Sequence, residues 1–142
     1  MSGQRQGSSP LRILIVDDHR DTAETLACIL QLEGHEARFF TNGPEALLAA
    51  AEWWPDVMVV DLLMPGMGGY QVGATVLEQR DRPRPLLIAH TGTAREEEIR
   101  KCREAGFDYC LEKPVKLNKL LQLVAQRNAG LGPPTQIFDA SM

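Results

Sequence analysis

Short apolar runs alternating with stretches of helical periodicity predict an α/β fold: a single doubly wound domain, with a five-stranded parallel sheet covered by helices on both faces. Three observations carry this. The central runs, such as Val57 to Val60, are β-branched and lack polar alternation, as strands buried on both faces do. Strand and helix patterns alternate along the whole chain, which calls for right-handed crossovers between parallel strands. The length, 142 residues, suits one core and is too short for two ordinary domains.

Residues 1–10 are polar and rich in Gly and Ser, and read as a disordered leader. The domain proper is expected over 11–128. Its first strand, Arg12 to Val16, runs into Asp17 and Asp18. A helix over Asp21 to Glu33 follows, with Ala23, Leu26, Ala27 and Leu30 at helical spacing and Gly34 as its stop. Glu36 to Thr41 alternates as an edge strand does. Asn42-Gly43-Pro44 is a helix start, with Pro at the first helical position, and Ala46, Leu47, Ala50, Ala51 and Trp54 form its apolar stripe up to Pro55. Trp53 and Trp54 read as core plus rim.

The third strand, Val57 to Val60, runs straight into Asp61 and a loop of Met, Pro and Gly. A helix is predicted over Tyr70 to Arg80, weakened by Gly73 in its interior. After a turn over 81–85 comes the fourth strand, Leu86 to Ala89, followed by His90, Thr91 and Gly92. Thr93-Ala94-Arg95-Glu96 has capping-box form and opens a helix to Ala105, stopped by Gly106. Glu96, Glu97 and Glu98 read as its solvated first turn, and His90 as a histidine packed on its strand. The fifth strand is Tyr109 to Glu112. The last helix, from about Lys116 to Asn128, shows the clearest stripe: Leu117, Leu120, Leu121, Val124 and Ala125. Residues 129–142 contain Gly132-Pro133-Pro134 and read as a flexible tail.

Composition narrows the function classes. Fifteen Lys and Arg against nineteen Asp and Glu give a formal charge of -4, with no basic run to track a phosphate backbone, so direct nucleic-acid binding is not expected. No apolar run is long enough to cross a bilayer and the leader lacks a signal-peptide core, which points to the cytoplasm and no membrane. Cys28, Cys102 and Cys110 lack metal-ligand spacing and read as reduced thiols.

In open parallel sheets, ligands bind beyond the carboxyl ends of the strands. Asp17, Asp18, Asp61, Thr91 and Lys113 stand at those ends. Two carboxylates about 4 Å apart repel by roughly 4 kcal/mol at an effective dielectric of 20, so three of them need a cation or a raised pKa. An all-oxygen site of few protein ligands suits Mg²⁺, which keeps several waters and bridges to phosphate oxygens.

Five segments then carry a resemblance: Ile-Val-Asp-Asp (15–18), Val-Val-Asp-Leu-Leu-Met-Pro-Gly-Met (59–67), His-Thr-Gly (90–92), Ala-Gly-Phe-Asp (105–108) and Glu-Lys-Pro-Val (112–115). In this order and spacing the chain resembles the receiver domain of bacterial two-component response regulators, including chemotaxis-type receivers and those of hybrid histidine kinases, over roughly 11–128. The resemblance implies a flavodoxin-like strand order 2-1-3-4-5 and a phosphorylation-switched module. Asp61 would be the phosphoacceptor, taking its phosphoryl group from a phosphohistidine on a sensor histidine kinase or histidine phosphotransfer domain. Asp18, Asp61 and the backbone carbonyl of Leu63 would hold Mg²⁺, with Asp17 acting through a water. Thr91 and Lys113 would contact the phosphoryl oxygens, and Lys113-Pro114 would be cis. The resemblance implies no enzyme beyond self-catalysed phosphotransfer and slow autodephosphorylation, and a downstream protein target met through the face from Thr93 to Asn128.

Three positions depart from the family pattern. Gly68 stands where Asp is frequent, which should loosen the loop, and Lys116 where a helix-capping Asp is frequent. Cys110 stands where an aromatic ring commonly takes part in signalling, with Tyr109 one residue earlier and so on the opposite strand face. This favours signalling through the loop and helix after Thr91 over a ring switch on the fifth strand. Two other readings remain: a receiver segment of a hybrid sensor kinase, and a Mg²⁺-dependent phosphatase working through an aspartyl-phosphate. The phosphatase reading is disfavoured because such enzymes place the nucleophile after their first strand and carry a cap domain.

Overall fold

The computed structural model describes residues 9–130. The expected leader and tail therefore fall almost wholly outside the described residues. Ten elements alternate strictly: β1 (Arg12–Val16), α1 (Arg20–Leu32), β2 (Glu36–Phe40), α2 (Gly43–Glu52), β3 (Val57–Asp61), α3 (Gly69–Leu77), β4 (Leu86–Thr91), α4 (Glu96–Glu104), β5 (Tyr109–Glu112) and α5 (Leu117–Asn128). All four strand pairings are parallel, in the order β2-β1-β3-β4-β5. The expected sheet and strand order are both present.

Strand alternation splits the core in two. Ile13, Ile15, Val57, Val59, Ile88 and Leu111 point to one face, where Leu26 and Leu30 of α1 and Leu120, Leu123 and Val124 of α5 cover them. Their neighbours Leu14, Val16, Met58, Val60, Leu87 and Cys110 point to the other, against Ala46 of α2, Val72 and Val76 of α3 and Cys102 of α4. Each fully buried aliphatic side chain contributes about 1.5–3 kcal/mol, so both faces are needed to hold the sheet.

Helix ends and stripes differ in part from those the sequence predicts. The Asn42 side chain caps α2 by accepting from the Glu45 N–H at 2.9 Å, as its motif foretells, and Gly34 closes α1 at φ +96°. But α3 stops at Leu77, because 78–82 is wound into turns that lead to Pro83 and Pro85. The capping box of α4 does not form. The Thr93 N–H turns back to Thr91 Oγ1 at 3.4 Å, and the helix opens at Glu96 with Arg95 at the cap position and no side-chain cap. On α5 the stripe is rotated, with Leu123 buried, Ala125 exposed and Leu117 40% exposed. On α2, Ala51 is exposed, and Trp53 is the core tryptophan, stacked by the guanidinium groups of Arg12 and Arg38. Trp54 is the rim, its indole N–H donating to the Pro83 carbonyl. Gly73 proves necessary inside α3, since a Cβ there would stand 2.8 Å from the Phe107 ring.

Candidate functional site

Register and parity bring the site together. Val16 is level with Val60 on β1 and β3, and Asp61 with His90 on β3 and β4, so Asp17, Asp61 and His90 end on one tier. Counting along each strand, Asp17, Asp61, His90 and Lys113 share the parity of residues facing α1 and α5. Thr91 has the opposite parity, that of Ala89 and Cys110. Thr91 is level with Glu112, and its carbonyl accepts the Lys113 N–H at 2.7 Å, which seats Lys113 beside the acids. The Lys113-Pro114 peptide is cis.

Asp17 and Asp61 are buried, while the Asp18 side chain is 28% exposed. Lys113 Nζ lies 3.2 Å from Asp61 Oδ2 and 3.4 Å from Asp17 Oδ2. The loop after β3 donates the Leu63 N–H to Asp61 Oδ1 at 3.2 Å. Gly69 permits this loop, because a Cβ there would collide with the backbone of Asp61 and Leu62. Gly68 stands at the cap position of α3, which therefore has no capping side chain.

Burial is the largest influence on Asp61 and pushes its carboxyl up to about 6, with Asp18 and the Asp17 charge adding to the rise and Lys113 opposing it. Asp17 goes the other way. Burial would raise it, but His90, the His19 N–H and the Lys113 charge together hold it well below the usual carboxylate range. The two carboxyls thus differ: Asp17 stays anionic throughout, whereas Asp61 takes up a proton as pH falls through about 6.

Asp17 Oδ2, Asp18 Oδ1 and Asp61 Oδ2 are shielded from solvent yet lack a hydrogen-bond partner. Ligand atoms of Asp17, Asp18, His19 and Asp61 lie within 4.8 Å of one another. Three carboxylates converging on one point, with a single ammonium among them, fit a small divalent cation. His19 is the soft member of the group. Its exposed ring puts Nδ1 3.2 Å from Asp17 Oδ1 and 3.3 Å from Asp18 Oδ1.

Of the residues singled out from the sequence, Asp17, Asp18, Asp61 and Lys113 lie together, Leu63 is tied to them through its N–H on Asp61 Oδ1, and Thr91 ends β4 with its Oγ1 turned to the Thr93 N–H. Two that reach this pocket were not assigned to it. His90 is packed on its strand as read, but its Nδ1 is also 3.5 Å from Asp17 Oδ2. Its position level with Asp61 was the available signal. His19 directly follows the acid pair, and only the fold of that loop shows it turning back. Glu98 corrects the expectation of a solvated first turn: it is half-buried, and its Oε1 is shielded without a hydrogen-bond partner.

Comparison with known proteins agrees with this geometry. The model of the response regulator receiver domain family matches residues 13–125. The virulence sensor protein BvgS of Bordetella pertussis is 32% identical over 130 residues, spanning 88% of this chain and 10% of BvgS. The DNA-binding response regulator MtrA of Mycobacterium tuberculosis is 34% identical over 116 residues, spanning 82% of this chain and 50% of MtrA. This chain therefore covers half or less of the length of these relatives. Among solved structures, the chemotaxis protein CheY4 of Vibrio cholerae superposes with a TM-score of 0.78 at 27% identity, over 84% of this chain and 99% of that one. A putative response regulator from Chloroflexus aurantiacus gives 0.74 at 31% identity, over 85% and 99%. The acids clustered at the sheet's carboxyl edge, the lysine beside them and these matches lead to one conclusion: the chain belongs to the receiver domain family of two-component response regulators.

Proposed function

We propose that Asp61 is the phosphoacceptor of this receiver and that residues 11–128 are the switching unit. The supporting observation is Asp61 Oδ2, which is shielded from solvent at the end of β3 and lies 3.2 Å from Lys113 Nζ. That oxygen attacks the phosphorus of a phosphohistidine, the P–N bond breaks, and the imidazole leaves. Asp18, Asp61 and the Leu63 carbonyl would hold Mg²⁺, with Asp17 acting through a water. When bound, Mg²⁺ supplies positive charge against the developing phosphoryl oxygens. Lys113 pairs with one phosphoryl oxygen. The Thr91 hydroxyl, whose oxygen accepts from the Thr93 N–H, keeps its own proton to donate to another.

The donor is a sensor histidine kinase or a histidine phosphotransfer domain, and the target is a protein met through the face from Thr93 to Asn128. We place the work in the cytoplasm, with no direct contact to nucleic acid and no turnover beyond autodephosphorylation. Among the described residues, no helix is long and apolar enough to cross a membrane. A second reading, a receiver segment within a longer hybrid sensor kinase, is favoured by the likeness to a virulence sensor protein. Family membership and a candidate nucleophile on the third strand both weigh against the phosphatase reading.

The test is incubation with Mg²⁺ and acetyl phosphate, read by intact mass. One phosphoryl group should be added, and chelation of Mg²⁺ should prevent it. Equal modification of the Asp61→Asn protein would refute the assignment.

A further inference from the structure

Away from the acidic pocket, Cys102 of α4 and Cys110 of β5 are both fully buried, with their sulfurs 3.7 Å apart. Neither is in a disulfide. A disulfide requires about 2.05 Å between sulfurs, so a short approach of the helix to the strand closes the gap. Cys102 is also the single buried residue of α4. With only Ile99 packed beside it, α4 has few buried side chains, and helices of that kind are drawn from the part of a fold that opens locally. Contact with Cys110 is the largest influence on Cys102 and holds its thiol below the ordinary range. Burial opposes this, Tyr70 supports it through a hydrogen bond, and the Glu98 charge opposes it.

We propose that Cys102 and Cys110 are a redox-modification site, which hydrogen peroxide converts into an intramolecular disulfide bolting α4 to β5. The Cys102 thiolate attacks one peroxide oxygen, the O–O bond breaks, and Cys102 becomes a sulfenic acid as hydroxide leaves. Cys110 sulfur then attacks the sulfenic sulfur. The S–S bond forms, and the hydroxyl departs as water with the Cys110 proton. Overall, two thiols are oxidised and one peroxide is reduced to two waters. Cys28 is exposed on α1 and serves as an internal control.

The consequence for signalling rests on the reading of 93–128 as the output face, whereas the disulfide does not. Cys110 has the strand parity of Thr91 and is level with Ala89 of β4, so the bolt lies directly beneath the loop that must move when Thr91 engages a phosphoryl group. Oxidised protein would accept phosphorylation and keep α4 in place.

The reduced chain is treated with hydrogen peroxide, alkylated under denaturing conditions with N-ethylmaleimide, and analysed by intact mass and peptide mapping. The expected product is a monomer with one alkylated thiol, at Cys28, and a Cys102–Cys110 link. Cys28→Ser should form the same link. Cys102→Ser and Cys110→Ala should not, and peptide mapping of the parent protein decides the matter if either fails to fold. Amide exchange over 96–104 should slow by about tenfold on oxidation. Three alkylated thiols, Cys28-linked dimers as the main product, or oxygen addition at Cys102 without a link would overturn the site. Unchanged exchange over 96–104 would overturn the bolt. Acetyl phosphate labelling of the same sample is scored separately, so failure there counts against Asp61 and leaves the thiol pair standing.

Discussion

The two ends of this parallel sheet treat their carboxylates in opposite ways. At the amino end Asp108 is saturated: Arg84 Nη1 donates to both its oxygens at 2.8 and 3.1 Å, and the Leu87 N–H donates to Oδ2 at 2.9 Å. Asp56, before β3, likewise accepts the Arg12 N–H at 2.8 Å. At the carboxyl end Asp17, Asp18 and Asp61 each keep a shielded oxygen with no hydrogen bond. What faces those oxygens is charge, the Lys113 ammonium at 3.2 Å from Asp61 Oδ2 and 3.4 Å from Asp17 Oδ2. The difference separates acids that brace the fold from acids held ready for a ligand.

The largest effect that could break this comparison is on labelling. Asp61→Asn should abolish phosphorylation by acetyl phosphate, while Asp108→Ala, at the other end of the same sheet, should keep it. Intact mass under matched conditions decides both. For Asp108→Ala the loss should appear as stability. Arg84 is 45% exposed and solvent screens the pair, so about 2–3 kcal/mol is expected in urea titration. A smaller cost would place Asp108 among the spectators.

The pH response sharpens the contrast at the carboxyl end. Asp61 has a folded-state pKa of about 6, raised from an ordinary 3.8. The associated stability is therefore present below 3.8 and lost as pH rises through about 6. In metal-free protein this should amount to about 2 kcal/mol between pH 4 and 7, seen as a falling midpoint in urea. Asp17 is shifted downwards, so its contribution changes only below the ordinary carboxylate pKa and leaves this window clear. Asp61→Asn should flatten the slope, and Mg²⁺ should stabilise the parent protein more at pH 7 than at pH 5. A slope unchanged in Asp61→Asn would assign it to another group.

Smaller effects belong to the residues around the acids. Lys113→Ala and Thr91→Ala should keep Mg²⁺ affinity within about threefold by calorimetry, because neither supplies a ligand oxygen in the proposed site. Both should weaken the change in amide exchange over 93–104 that follows phosphorylation. Loss of Mg²⁺ binding in either would redraw their roles. The smallest effect is expected from Cys110→Ala, which should leave that phosphorylation response nearly intact under reducing conditions. The strand supports this, since Tyr109 packs on the α1 and α5 side while Cys110 faces α4, so no ring is available to swing there. A lost response with Asp61 still labelled would refute it.

Much of the fold and site was legible in the chain because its signals are local. The apolar run of β3 ending in Asp61, the Asn42 cap, Gly34 at a positive φ and the stripe of α1 each depend on a few neighbouring residues. From such signals follow the element order and the carboxyl-end positions of Asp17, Asp18, Asp61, Thr91 and Lys113. Tertiary structure alone decided which surface each element uses and what crosses between elements. Leu123 replaces Ala125 in the core because α5 is turned by its seat against α1 and the sheet, and periodicity has no view of that seat. His90 reaches Asp17 across β3, His19 turns back over the acid pair, and Cys102 meets Cys110 from a different element. Each of these contacts is fixed by register and crossover handedness, which bring together residues whose spacing along the chain carries no trace of the meeting.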